Sequence, residues 1–190
     1  MASASFHRAT VFLLALAWAS PVLAGDAPFG LRWGANVAEL KIAGVGASGI
    51  KDDGILATVI AGTAPQAPAD TAEVRLQVHR QYGLQRIVWR SRDLGADPAG
   101  ALDSFHRRQD LLSREFGPPR SVEEDLPPGT QPFFPCLAQD GCASIVAVWR
   151  TGDVDVRLRL SGSADGRGWL ETVYLGPDWN DVAQQIKGHR

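Results

Sequence analysis

Beyond His7, three kinds of side chain in this sequence have the chemistry to act: histidines, cysteines and arginines. His79 stands in an alternating run, His106 on the flank of a helical stripe and His189 beside the C-terminus. None forms a His-x-x-x-His or His-Glu-x-x-His pair, the spacing that turns two imidazoles toward one metal from a helix. His106 could serve a hydrolase as general base if an acid from a distant loop met it; otherwise it is an ordinary half-exposed imidazole. There is no Gly-x-Ser-x-Gly elbow, and Ser161-Gly162-Ser163 reads as a link. The run Ala43-Gly44-Val45-Gly46-Ala47-Ser48-Gly49 has the glycines of a phosphate-cradling loop but not its Lys-Ser/Thr ending, and no long helix follows. The only methionine is Met1 and Cys-x-x-Cys-His is absent, which argues against thioether copper and haem attachment. The expectation is a chain without cofactor or metal that is not an enzyme.

Cys136 and Cys142 are separated by five intervening residues in a glycine-containing loop. In an oxidising compartment that spacing predicts a disulfide, with loop closure contributing about 2 kcal/mol. A redox pair would need Cys-x-x-Cys, and a metal site would need further ligands nearby.

The arginines remain. Arg75, Gln77 and His79 share one face of an alternating strand, and Asp155, Arg157 and Arg159 share one face of another. Arg86, Arg90 and Arg92 belong to the same or an adjacent surface. A sheet face of this kind suits protein binding, because guanidinium and aromatic groups supply much of interface energy. Arg75, His79, Arg90, Arg157 and Arg159 are the candidate binding residues. The competing reading is a solvated face whose cross-strand charge pairs contribute about 0.2–1 kcal/mol each. A small-ligand carrier would instead place a pocket between helices and sheet, lined by Trp89 or Trp149. The first reading of Trp33, Trp89, Trp149, Trp169 and Trp179 is nevertheless core and edge packing.

The elements that position these residues follow from local pattern. Asp97 caps, Pro98 starts and Gly117-Pro118-Pro119 stops a helix whose Ala101, Leu102, Phe105, Gln109, Leu112 and Phe116 share one stripe. Asp103 with Arg107 and Asp110 with Arg114 are spaced for ion pairs on its wet face. A short helix starts at Asn36, with Glu39 completing a capping box. Strands are predicted at 55–61, 74–79, 85–92, 144–150, 154–160 and 169–175. Residues 118–143 are expected to form a long loop holding the acidic run Glu123-Glu124-Asp125, and Asp178 to cap a terminal turn or two. The order is helix, three strands, helix, three strands, which reads as an αβββ tandem repeat over 28–93 and 97–176. The fold class is α+β: a two-layer sandwich with an antiparallel sheet of about five to six strands, two main helices on one face and the other face open.

Residues 1–24 have a basic start, an apolar run from Thr10 to Ala19 and small residues at Val22-Leu23-Ala24, which predicts a signal peptide. The run is short for a retained anchor, and no cysteine stands at the cleavage point for lipidation. A single domain over 25–190 in the periplasm or outside the cell is expected. Removal of the leader takes one arginine from the chain's 19 basic residues and none of its 21 acidic ones. That balance implies neither a nucleic acid partner nor an anionic membrane.

Phe29-Gly30-Leu31-Arg32-Trp33-Gly34 with Asn36-Val37-Ala38-Glu39-Leu40, and the helix ending Phe116-Gly117-Pro118, resemble the small outer-membrane assembly lipoproteins. The doubled helix-plus-sheet order is similar to the β-lactamase inhibitor protein type of fold. This resemblance implies a concave sheet and a non-catalytic role with another protein as partner. It carries over no inhibitor residue, and the missing lipobox cysteine leaves lipid anchoring outside it.

Overall fold

The computed structural model describes residues 25–189, so the signal peptide expected over 1–24 lies outside the described residues. Ten strands and four α-helices follow in chain order: β1 (Asp26–Ala27), β2 (Leu31–Arg32), α1 (Val37–Ile42), β3 (Ala47–Asp52), β4 (Leu56–Ala61), β5 (Thr71–His79), β6 (Gly83–Ser91), α2 (Pro98–Phe116), β7 (Ser121–Asp125), α3 (Phe133–Leu137), β8 (Ser144–Thr151), β9 (Val154–Gly162), β10 (Gly168–Leu175) and α4 (Trp179–Gly188). β1 and β2 form a small ladder. The other eight strands form one antiparallel sheet in the order β3-β4-β5-β6-β10-β9-β8-β7.

Local signals set the helix starts. Asp97 accepts from Ala99 N at 3.1 Å and Gly100 N at 3.0 Å, which satisfies two amides that have no partner inside α2. The Asn36–Glu39 capping box of α1 closes at 3.0 and 2.8 Å. The two i, i+4 pairs expected on α2 do not form ion pairs among the described residues; Arg107 donates to Ser104 Oγ at 2.9 Å instead. Exposed pairs gain too little Coulomb energy to fix two long side chains.

The sheet is wider than the expected five to six strands because both edges were hidden in apparent loops. β3 begins inside the glycine-rich run, with a bulge between Ala47 and Gly49. β7 contains the acidic run Glu123-Glu124-Asp125, and α3 lies further along the same expected loop. An edge strand forms one ladder only and has little buried surface, so it lacks a strong alternating signature. β7 is exposed along its whole length. Its carboxylates guard that edge against pairing with another chain.

Strand alternation directs two sets of side chains to opposite faces. Leu76, Ile87, Trp89, Trp149, Leu158, Leu160 and Tyr174 point to the buried face. α2 presses Ala101, Phe105 and Leu112 into that face, α1 adds Leu40, and α3 lies against β9. Backbones meet closely where the lead-in crosses the β5–β6 turn. Gly83 sits at φ +65°, and a Cβ there would lie 1.9 Å from Gly34 O.

The opposite face is not entirely open. α4 lies against it: Trp179 and Ile186 share a cavity with Thr58, Gln77 and Arg86, and Arg86 packs over the Trp179 ring at 5.6 Å. Asp178 makes no side-chain cap to α4. Its carboxylate is bound to Gln85, so the expected cap is replaced by a link to the sheet.

Candidate functional site

Beside α4 the uncovered part of the sheet forms a groove of about 520 Å³. β8, β9 and β10 make the floor, Trp179 stands at one side, and Arg120, just before β7, stands at the other. Five arginines line it, Arg86, Arg120, Arg150, Arg157 and Arg159, against two carboxylates, Asp155 and Glu171. The full chain carries a formal charge of −2, so positive charge is concentrated here against the overall balance.

Strand register explains the arrangement. One row across the sheet runs Ile60, Arg75, Val88, Val173, Arg157, Val148. Two arginines are thus separated by two valines, three strand spacings or about 14 Å apart. The next row runs Glu73, Arg90, Glu171, Arg159. Its charges alternate and offset one another. On the other side Gln77, Arg86, Leu175, Asp155 and Arg150 follow. Arg150 reaches Asp155 at 3.5 Å, and Arg86 donates to Gln77 Oε1 at 2.9 Å. Burial draws the Arg86 pKa below its ordinary value; Glu171 opposes that shift and Arg75 adds to it.

Arg157 and Arg159 therefore stand in the groove. Arg75 and Arg90 share the sheet face, but both are engaged: Arg75 pairs with Glu73, and Arg90 lies 4.0 Å over the Trp169 ring. His79 departs from the expected exposed position. It lies at the end of β5 with 4% of its surface exposed, stacked on Tyr82 at 5.2 Å. Its Nδ1 accepts from the Gln81 and Tyr82 amides at 3.2 and 3.3 Å. The turn into β6 brings those amides back onto the ring, so His79 braces the turn and adds nothing to the groove. Arg92 likewise donates to Ala69 O at 3.0 Å and ties down a loop.

No local sequence signal marks Arg120, Arg150 or Trp179 as site residues. Arg150 ends an evident strand, but Arg120 follows two prolines and Trp179 follows Gly176-Pro177. Only the strand order and the docking of α4 bring them to one surface.

His106 Nε2 meets Glu124 Oε1 at 3.0 Å, so an acid from the expected long loop does reach it. The pair is exposed, 48% and 38%, and no hydroxyl hydrogen-bonds to His106 among the described residues. It ties α2 to edge strand β7. Trp89 and Trp149 are 1% and 0% exposed and belong to the core, as packing residues rather than as the lining of a carrier's pocket. Trp89 Nε1 donates to Thr71 Oγ1 at 2.8 Å, while Arg108 on α2 lies 4.5 Å over its ring. Cys136 and Cys142 form the expected disulfide. Among the described residues no cluster of three or more His, Cys, Asp or Glu could hold a metal, and no helix is long and apolar enough to cross a membrane.

No family profile, curated protein or solved structure matches the chain. The functional reading therefore rests on the groove itself.

Proposed function

We propose that this chain is an exported, non-catalytic protein-binding domain, adaptor-like or inhibitor-like, that engages its partner through the groove on the sheet face. One observation carries the reading: Arg120, Arg157 and Arg159, which make no ion pair among the described residues, stand around a valine floor on a chain of net negative charge. Guanidinium groups over an apolar floor offer both directional bonding and area from which water can be expelled. The disulfide supports an oxidising, extracytoplasmic location. The palindromic strand order supports a tandem repeat, each unit a helix and four strands, with α3 inserted after the first strand of the second unit. Such a pairing of units would generate the broad sheet face that the resemblance implies.

The test is recovery of a partner from periplasmic extract by the wild-type protein and by Arg157→Glu plus Arg159→Glu. Arg114→Glu on the exposed side of α2 serves as the charge control. Loss of the partner with the groove variant alone supports the reading. Equal recovery by all three proteins would sink it.

A further inference from the structure

The groove's uncompensated charge is concentrated at one strip. Arg150 has Asp155, and Arg86 has Gln77 with Trp179 beside it. Arg120, Arg157 and Arg159 make no ion pair among the described residues. Of these, Arg159 faces Glu171 in register. Arg157 instead sits between Val173 and Val148, and Arg120 directly precedes Ser121, which is opposite Val148. Two exposed guanidinium groups thus stand on either side of Val148, with Val173 beyond Arg157, along a row that contains no carboxylate.

Building on the protein-binding reading above, we infer that the partner inserts an acidic loop here. One of its carboxylates is received by Arg157 and Arg120, and a neighbouring aliphatic side chain rests on Val148 and Val173. A planar guanidinium takes a carboxylate through paired N–H···O bonds, and a dry apolar surround strengthens such bonds. A purely apolar loop would bury these cations without partners, at a cost that contacts with two valines do not offset. A repeating polyanion fits less well, because Asp155 and Glu171 line the same groove and would meet its phosphates with like charge.

The probe is a short fluorescein-labelled peptide alternating glutamate and valine, followed by fluorescence anisotropy at low and high salt. Saturable, salt-sensitive binding is expected, weakened about tenfold or more by Arg157→Glu or by exchanging the peptide's glutamates for glutamines. Arg157→Lys should restore part of the loss, since it keeps the charge without the fork. Arg120→Glu, on a separate segment, gives the same reading should the first variant misfold. Absence of saturable binding to the folded wild type overturns the inference, as does equal affinity for the glutamine peptide. Tighter binding of inorganic polyphosphate at matched charge overturns it in favour of an anionic polymer. Groove-dependent capture of a protein combined with failure of the peptide overturns the acidic-loop inference and leaves protein binding standing. Peptide binding at Arg157 without groove-dependent capture supports the strip's chemistry and counts against the protein-binding reading.

Discussion

Gln85 and Asp178, 93 residues apart, are joined by two hydrogen bonds: Asp178 N donates to Gln85 Oε1 at 3.0 Å, and Gln85 Nε2 donates to Asp178 Oδ2 at 3.3 Å. Gln85 is the extra residue where the β5–β6 register shifts, since Gln77 pairs with Arg86 but Val78 with Leu84. A bulge re-aims a side chain, and this one turns a buried amide toward the start of α4. The link sets where Trp179 stands beside the groove.

Gln85→Ala should therefore release α4 more than it harms the sheet. Removing the amide leaves Asp178 without its partner and should cost about 1–3 kcal/mol. Hydrogen exchange should accelerate across Trp179–Gly188 while β9 and β10 keep their protection. Uniform acceleration through the sheet would show that Gln85 supports the fold as a whole rather than the helix.

Tyr174 should make the protein sensitive to alkali. Its hydroxyl is buried and accepts from Arg108 Nη2 at 3.0 Å. Burial pushes its pKa up to about 12 from 10.0; Arg108 works against that shift and Glu115 adds to it. The folded state thus favours the neutral phenol. The resulting stability is fully present below the unfolded pKa near 10 and is lost as pH rises toward 12. The loss should amount to roughly 2–3 kcal/mol in urea unfolding. Tyr82→Phe leaves Tyr174 as the sole tyrosine, so tyrosinate absorbance can report its titration directly. Ordinary phenol titration in the folded Tyr82→Phe protein would refute the assignment.

Gly83→Ala should be far more costly than Gly152→Ala, although both glycines have positive φ, +65° and +56°. At Gly152 the added methyl meets open space, and the cost should be about 1 kcal/mol from backbone conformation alone. At Gly83 it collides with Gly34 O, where the lead-in bonds to Leu84, so about 3 kcal/mol or more is expected. Thermal unfolding of the two variants side by side checks the order.

The His106–Glu124 pair should contribute little to stability. Both groups are substantially exposed, so Glu124→Gln should shift urea unfolding by less than about 1 kcal/mol. A larger shift would mean that the pair is a principal anchor of the β7 edge rather than a minor surface link.

The sequence by itself determined the elements whose cause is local. Asp97, Pro98 and Gly117 bound α2 because caps and stops act within a few residues, and β5 and β9 were legible because one face of each is buried and the other wet. The cysteine pair was legible for the same reason, its partners being close along the chain. Arg157 and Arg159 could be placed on an outward face by alternation. Tertiary structure alone decided what joins them there. The edge strands β3 and β7 owe their form to one neighbouring strand each, not to a pattern of their own. His79 follows the alternation yet is buried, because the turn's amides and Tyr82 close over it. The groove exists because β6 pairs with β10 and because Gln85 fixes α4 on the same face, contacts between residues too distant in sequence to leave a local periodic signal.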